Sequence, residues 1–338
     1  MLVSVIVPCR NEKYHIDKFI RSILRQETDG LDLEILIADG CSNDGTLEIL
    51  SKLSTEDPRI HIVTNTRKIT PSGLNLCIGK SKGDIIIRMD VHTIYASDYI
   101  RNCVETLIYR KVDNVGGPWR ASGNDFIQKG IALAFQSPFS AGGAKSHLLD
   151  YEGKVDSVYL GCWHKSTFEV YGLFDEELVR NQDDEHNLRI VRGGGTIWQN
   201  PAIQSWYYPR SSISAMFRQY AQYGYWKVRV IQKHHVPASI RHLIPALFLI
   251  ALLLSGLSIL FHPLGIKVFA TLLGAYLIAV LIASSITCIR TKELKYILIL
   301  PLVFPAFHFG YGFGFLAGIF EFIIMRRKNR DRFNELTR

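Results

Sequence analysis

From Val3 to Asp90 the chain alternates short, wholly apolar runs with longer stretches in which apolar residues recur every three or four positions. Val3-Ser4-Val5-Ile6-Val7 is short and β-branched, as a buried strand should be, and Pro8 is predicted to end it before a helix over about 14–25. A second apolar run, Leu33 to Ala38, closes on Asp39-Gly40 and a polar turn, then a helix over about 45–53. A third strand over 60–64 precedes a helix near 72–80, and a fourth over 84–89 stops at Asp90. This alternation with short turns predicts an open, mostly parallel α/β sheet. Ligands collect outside the carboxyl ends of the strands in such sheets, and there fall Asn11, Glu12, Asp39, Gly40, Asp90 and His92.

Beyond Asn114 the pattern loosens, with glycine pairs read as turns (Gly116-Gly117, Gly142-Gly143) among scattered Trp and Tyr, and acceptor-side structure is expected there. Residues 211–232 read as a helix with Phe217, Tyr220, Tyr223, Trp226 and Val230 at helical spacing and Arg218, Lys227 and Arg229 for charge. Such a helix either lies in a lipid headgroup layer or packs on the soluble core. From His242 to Met325 apolar runs dominate. Leu243–Phe261 and Leu264–Ile289 are long enough to span a bilayer, which takes ~20 apolar residues. The third run, Tyr296–Met325, would make ~45 Å of straight helix, but Pro301, Pro305, Gly310, Gly312 and Gly314 interrupt it.

Charge bears on that third run. Of the formal net charge of +8, a prominent part flanks the apolar tail, in Lys227, Arg229, Lys233, Arg241 and the cluster Arg326, Arg327, Lys328, Arg330 and Arg332. Basic flanks face the cytoplasm and its anionic lipid, so a third crossing from a cytoplasmic head would carry the basic tail outside. One tilted helix is one form the third run can take; two spans plus a re-entrant or interfacial hairpin broken near 308–314 is the favoured one, because it keeps the tail inside. The organisation expected is a soluble head over 1–210, an interfacial helix or linker over 211–241, a membrane region over 242–325 and a basic tail over 326–338. The six cysteines form no CxxC pair and read as reduced core thiols. The N-terminus opens on a strand and lacks the pattern of a signal peptide, which places the head in the cytosol of a multi-pass inner-membrane protein. The basic surplus follows no nucleic-acid module, and no GxGxxG follows the first strand, which sets aside nucleic-acid binding and a dinucleotide-dependent oxidoreductase.

SVIVPCRNE (4–12), ADGCSNDGT (38–46), RMDVH (88–92) and NQDDE (181–185) resemble, in order and spacing, the motifs of inverting family 2 glycosyltransferases. GGPW, YYPRSS, YGYWK and HFGYGFG extend the likeness to the succinoglycan-type, ExoA-like branch over nearly the whole chain. The resemblance implies a GT-A fold, a Rossmann-like mixed sheet, followed by C-terminal transmembrane helices. It also implies a nucleotide-sugar donor held by Pro8, Asn11, Glu12, Asp39, Gly40, Asn75 and Asp90. Asp44 reads as a turn former or cap before the second helix.

A diphosphate leaving group needs its charge neutralised, and a divalent cation at a strand end does this, with Asp90 and His92 as the implied ligands. The family pattern is DxD where this chain has Asp90-Val91-His92. Imidazole suits Mn²⁺ better than Mg²⁺, and a His92 that only hydrogen-bonds phosphate is the alternative. Inversion needs a base for the acceptor hydroxyl; the motif alignment gives that role to Asp183, with Asp184 beside it and Glu185 at the later acidic position on the acceptor side. A solvated helix start would place the same acids in the same first turn. Gln222 and Trp226 match part of QxxRW, with Tyr225 at the arginine position, so Trp226 either stacks on an acceptor sugar or anchors its helix. The expected activity is inverting transfer of a hexose, from a UDP-sugar by the family's habit, to a polyprenyl-diphosphate-linked acceptor at a lipid bilayer, in a chain that could form a homo-oligomer. A processive polysaccharide synthase and a non-catalytic scaffold of a glycan export complex are the alternatives.

Overall fold

The computed structural model describes residues 1–237 and 239–327. The chain divides into two compact units, 1–120 with 145–207, and 121–144 with 208 onward. The beginning of the first unit follows the expected alternation: β1 (Leu2–Cys9), α1 (Ile16–Leu24), β2 (Asp32–Asp39), α2 (Thr46–Glu56), β3 (Ile60–Thr64), α3 (Thr70–Lys80) and β4 (Ile85–Arg88). Then come β5 (Thr93–Tyr95), α4 (Tyr99–Arg110), β6 (Asn114–Gly117) and β7 (Arg120–Ala121), where the chain passes to α5 (Phe126–Phe135) and α6 (Pro138–Ala141) of the second unit. It returns through β8 (Gly153–Val155), β9 (Tyr159–His164), α7 (Lys165–Tyr171), α8 (Gln182–Arg192), β10 (Ile197–Gln199) and β11 (Ser205–Tyr207).

An eight-stranded sheet in the order β3-β2-β1-β4-β9-β6-β10-β8 forms the frame of this unit, and β5-β11-β7 make a small second sheet. β1 pairs parallel with β2 and β4, β2 with β3 and β6 with β10, whereas β9 and β8 run against their neighbours. Alternate side chains of one strand enter different layers. Val3, Val5 and Val7 join Ile16, Ile20, Ile23 and Tyr99, while Ile6 packs with Leu74, Ile78, Trp163 and Phe174 on the other face. Burial on both faces is why the first strands read as unbroken apolar runs.

Two local expectations are corrected. Pro8 does not end β1: a proline lacks only its N–H, and the strand continues parallel to Ala38 and Asp39 through Cys9. Gly116-Gly117 is no turn but buried strand, because a Cβ on Gly117 would stand 1.8 Å from the Ile203 carbonyl oxygen and one on Gly116 2.7 Å from Val158. Asp44 forms the expected turn, accepting from the backbone N–H and hydroxyl of Thr46 and from Lys13 N–H.

The second unit adds α9 (Ile213–His234), α10 (Ile244–Ser258), α11 (Leu264–Thr291) and α12 (Leu300–Gly318), whose last turns widen into a π-helix over Ile319–Ile324. Residues 240–258, 264–291 and 300–324 are each long and apolar enough to cross a membrane. The hairpin expected near 308–314 is overturned: the third segment is one unbroken helix through Pro305 and all its glycines. Pro305 lies in the opening turns, where the lost hydrogen bond is that to Pro301. The glycines are contact surface. A Cβ on Gly310, Gly314 or Gly318 would stand 2.8, 1.8 or 2.7 Å from the carbonyl oxygens of Phe217, Ala221 or Tyr225, and one on Gly224 2.1 Å from that of Tyr311. The first three contacts advance together along both chains, so α9 and α12 run parallel, backbone against backbone. Of the cluster expected in the basic tail, Arg326 and Arg327 are described; Lys328, Arg330, Arg332 and the rest of 328–338 lie outside the described residues.

Candidate active site

The first unit brings the carboxyl ends of β1, β2 and β4 to one edge of the sheet, since β2 and β4 flank β1. Asp39 ends β2 with its carboxylate 3% exposed; Oδ1 accepts from the Ser42 hydroxyl and Oδ2 from Ser42 N–H. Ser42 in turn receives Asn11 N–H at 2.8 Å, and the Asn11 side-chain oxygen accepts from Asn43 N–H. Gly40, bonded to the Cys9 carbonyl, lies against the Arg10 side chain, 3.2 Å from where a Cβ would be. Asp39 and Asn11 thus shape the turn between β2 and α2.

Glu12 is tied elsewhere. It is 5% exposed, and its two carboxylate oxygens lie 3.0 and 2.8 Å from Nε2 of His92. In the neutral tautomer whose Nε2–H donates to this carboxylate, the lone pair is on Nδ1, the arrangement by which metal-binding imidazoles are held. Glu12 therefore positions His92 at the edge where the donor was expected.

Arg88, the last residue of β4, donates from Nε and Nη2 to the two oxygens of Asp90 at 2.9 and 2.8 Å. Its side chain is 8% exposed, that of Asp90 31%. Burial by itself would lower the guanidinium's pKa, but the charge and hydrogen bonds of Asp90, and then the charge of Asp183, raise it above the ordinary value. Asp183, in the first turn of α8, thus shares with Asp90 the field of one buried cation, although the two acids come from distant parts of the chain. Nη1 of Arg88 is buried without a hydrogen-bond partner. An orphaned donor here is a place for an anionic or hydroxyl oxygen of a ligand.

Next to this cluster stands an aromatic wall that no motif announced. Trp119 stacks on Tyr159 at 4.9 Å and 12°, and Tyr207 meets Trp119 edge-on at 5.6 Å. Tyr159 Oη lies 2.7 Å from Thr93 Oγ1. Burial, and then the charge of Asp90, push the Tyr159 phenol well above its usual pKa, so it stays protonated. The three rings are partly exposed. Only GGPW hinted at the wall, through the tryptophan after its glycines.

Other expected residues have different work. Asn75 donates to the Phe174 carbonyl at 2.8 Å and to Glu176 at 2.9 Å and accepts from Phe174 N–H, so its amide clamps that loop and is not open to a nucleotide. Glu185 is 3% exposed and takes the Arg189 guanidinium on both oxygens; with Arg189 donating to the Tyr171 and Leu173 carbonyls, this pair is internal scaffolding and not an acceptor contact. Asp183 Oδ1 accepts from Asp184 N–H at 2.9 Å. In the second unit Trp226 is 0% exposed beside Phe322 and Gln222 is 4% exposed, which leaves Trp226 no open face for a sugar and decides for the anchor.

His186, one turn along α8, is fully buried against Phe168 and Phe174. Nε2–H donates to the Gly172 carbonyl at 3.0 Å and Nδ1 has no partner, so a second proton would have no acceptor. Burial, and then the charge of Arg189, lower its pKa to about 3. Because the unfolded imidazole binds a proton near pH 6.5 and the folded one does not, stability is complete above that pH and falls below it, by about 2 kcal/mol at pH 5. Thermal midpoints of the full chain at pH 7 and pH 5 should drop accordingly, and less steeply in His186→Met; an equal drop in that variant would assign the slope elsewhere.

Among the described residues no group of three His, Cys, Asp or Glu could hold a metal ion by protein ligands alone. The donor set fits a shared cation. Asp90 retains lone pairs beyond those facing Arg88, His92 has one on Nδ1, and a diphosphate would bring the remaining oxygens.

A mixed sheet with a parallel core, acids at its carboxyl edge and a second acidic element brought to the same place defines a GT-A nucleotide-sugar transferase. The family model for "Glycosyl transferase family 2" matches residues 4–162. The succinoglycan biosynthesis protein ExoA of Rhizobium meliloti is 30% identical over 243 residues, 71% of this chain and 73% of its own. A dolichyl N-acetyl-α-D-glucosaminyl phosphate 3-β-D-2,3-diacetamido-2,3-dideoxy-β-D-glucuronosyltransferase of Methanococcus voltae is 29% identical over 330 residues, 94% of this chain and 97% of its own. Among solved structures, the mannosyltransferase PcManGT of Pyrobaculum calidifontis, in complex with GDP-Man and Mn²⁺, superposes with a TM-score of 0.55 at 20% identity over 89% of this chain and 86% of its own. The chain belongs to glycosyltransferase family 2 and is a glycosyltransferase.

Proposed function

We propose that the protein transfers a hexose, with inversion, from a nucleotide diphosphate sugar, a UDP-sugar by its motifs, to a saccharide carried on a polyprenyl diphosphate. The observation that carries this reading is that the buried Arg88, held by both oxygens of Asp90, also feels the charge of Asp183 from a distant part of the chain. Asp39, Asn11 and Gly40 form the rim for the nucleoside, with Pro8 behind them in β1. Asp90 and His92 would hold Mn²⁺ or Mg²⁺, which would neutralise the departing diphosphate. Asp183 takes the proton of the acceptor hydroxyl as its oxygen bonds to the anomeric carbon, the bond to the nucleoside diphosphate breaks, and the diphosphate leaves with the electron pair. Arg88, fixed by Asp90, offers its spare Nη1 to an oxygen of the reacting group. The rings of Trp119 and Tyr159 supply the apolar platform for an acceptor sugar that Trp226 does not.

The lipid acceptor is motivated by the three apolar helices and by the dolichyl-linked substrate in the name of the relative from Methanococcus voltae. We place the catalytic domain on the cytoplasmic side of the inner membrane, with α10 and α11 crossing and α12 lying along the bilayer surface with α9. If α12 crossed, the parallel α9 would enter with it, at about 2.5–3.5 kcal/mol for each of Arg218, Lys227 and Arg229. A non-catalytic scaffold has no need of an intact Asp90–Arg88–Asp183 set, and so few membrane segments make a poor conduit for a processive synthase.

The test is to incubate the full chain with labelled nucleotide sugars, a polyprenyl-diphosphate saccharide and Mn²⁺ or Mg²⁺. One sugar should appear in the organic phase, and Trp119→Ala should raise the acceptor KM about five- to tenfold with little change in kcat. Label confined to a long water-soluble polymer would instead establish the processive synthase.

A further inference from the structure

At the end of the α9–α12 pair lies a cavity of about 480 Å³ lined by Arg229, Gln232, Phe322, Ile323, Arg326 and Arg327. The parallel register of the two helices creates it. Arg229, near the end of α9, comes level with Phe322, and the chain leaving the π-helix carries Arg326 and Arg327 to the same place. Arg229 is oriented from two sides: Nη1 donates to Gln232 Oε1 at 2.6 Å, and the guanidinium lies over the Phe322 ring at 5.7 Å. The backbone N–H of Arg327 is tied to the Glu321 carbonyl, which fixes the turn beneath the two exposed arginines.

Two properties of this cavity select a ligand. Three arginines in the lining hold a charge that a diphosphate, with its two phosphoryl groups, matches and the single negative charge of an ordinary phosphodiester does not. The lining is also apolar in part, at Phe322 and Ile323; Ile323 is 52% exposed, and Phe320 and Ile324 of the same π-helix are 51% and 66% exposed. A soluble nucleotide would gain nothing from that surface, whereas a ligand with an anionic head and a hydrocarbon tail uses both. Plain cytoplasmic-side arginines would account for the charge but not for a concave site in which one of them is held by Gln232 and Phe322.

We propose that this cavity is the binding site for the diphosphate head of a polyprenyl diphosphate lipid, with the first prenyl units along Phe320, Ile323 and Ile324. The proposal rests on the lipid-acceptor reading above and gives that acceptor a seat formed by the second unit alone.

The experiment measures binding without any sugar donor, so that a failure of transfer and a failure of this site are told apart. The full chain is placed in nanodiscs of neutral phosphatidylcholine and titrated with undecaprenyl diphosphate, cardiolipin, phosphatidylglycerol and inorganic pyrophosphate, for the parent chain and for Arg326→Gln/Arg327→Gln. Undecaprenyl diphosphate should bind most tightly, and the double variant should weaken it about tenfold or more through the lost charge-assisted contacts. Because both substituted residues are exposed, thermal midpoints should not change, and Arg229→Lys, which keeps charge but not the forked geometry, should weaken binding while retaining the fold. Equal binding by parent and double variant would overturn the site, as would cardiolipin or phosphatidylglycerol binding as tightly as the polyprenyl lipid.

Discussion

Asp183→Asn should lower kcat for sugar transfer by about 10²- to 10⁴-fold, the range that a positioned general base contributes, while donor binding measured calorimetrically stays within a factor of two or so. The substitution keeps the side chain's size. It also keeps the oxygen that accepts from Asp184 N–H at 2.9 Å, so the first turn of α8 retains its local bond. What it removes is one negative charge beside Arg88. That cation still has both oxygens of Asp90, at 2.9 and 2.8 Å, and stays ionised and in place. The loss should therefore fall on the chemical step and leave the nucleoside rim untouched. Asp184→Asn is the comparator: it removes the neighbouring charge but leaves Asp183, whose charge acts on Arg88, unchanged, and its kcat should move far less. Parental turnover in Asp183→Asn would take the base role away from this residue, and a collapse of donor binding would show that its charge serves to organise the site instead.

How far the molecule could be read beforehand depends on the range of the forces involved. β1 to β4 and their helices were legible because burial on both faces writes a local signature, an unbroken apolar run closed by a polar turn. The same locality made the edge residues Asp39 and Asp90 visible as candidates. Asp183 joined them only through its motif, since nothing local tells that the first turn of α8 will meet the end of β4. Asn75 and Glu185 show the converse failure. Each lies where a binding residue was expected, but partners contributed by the 171–176 region, Phe174 and Glu176 for Asn75 and the carbonyls that hold Arg189 for Glu185, had already committed the polar groups. Glu12 and His92 were each legible as polar strand-end residues, but not as a pair. Glycine was the most misleading letter, because a turn with positive φ and a close backbone approach call for the same residue. Gly142 and Gly143 are of the first kind, with φ of 60° and 70°, and Gly116 and Gly117 of the second.

That distinction yields the second large effect, on stability. Gly314→Ala should lower the thermal midpoint of the full chain in detergent, although alanine is the better helix former by about 1 kcal/mol. A methyl group at this position would stand 1.8 Å from the Ala221 carbonyl oxygen, far inside contact distance, and the obstruction is backbone that cannot rotate away. α9 and α12 would have to separate along a seam that Gly310, Gly318 and Gly224 also keep close, so the cost exceeds that of ordinary overpacking, ~1–3 kcal/mol, and outweighs the gain in propensity. Gly274 in α11 is the opposite case: a Cβ there meets nothing within 4 Å. Gly274→Ala should leave the midpoint unchanged or raise it. The pair of substitutions separates packing from propensity, because both replace a helical glycine by alanine in an apolar helix and differ only in what the new methyl meets. Equal midpoints for the two variants would mean that the α9–α12 contact is not closed in the working protein, and the surface-lying placement of α12, which depends on α9 being held against it, would lose its support.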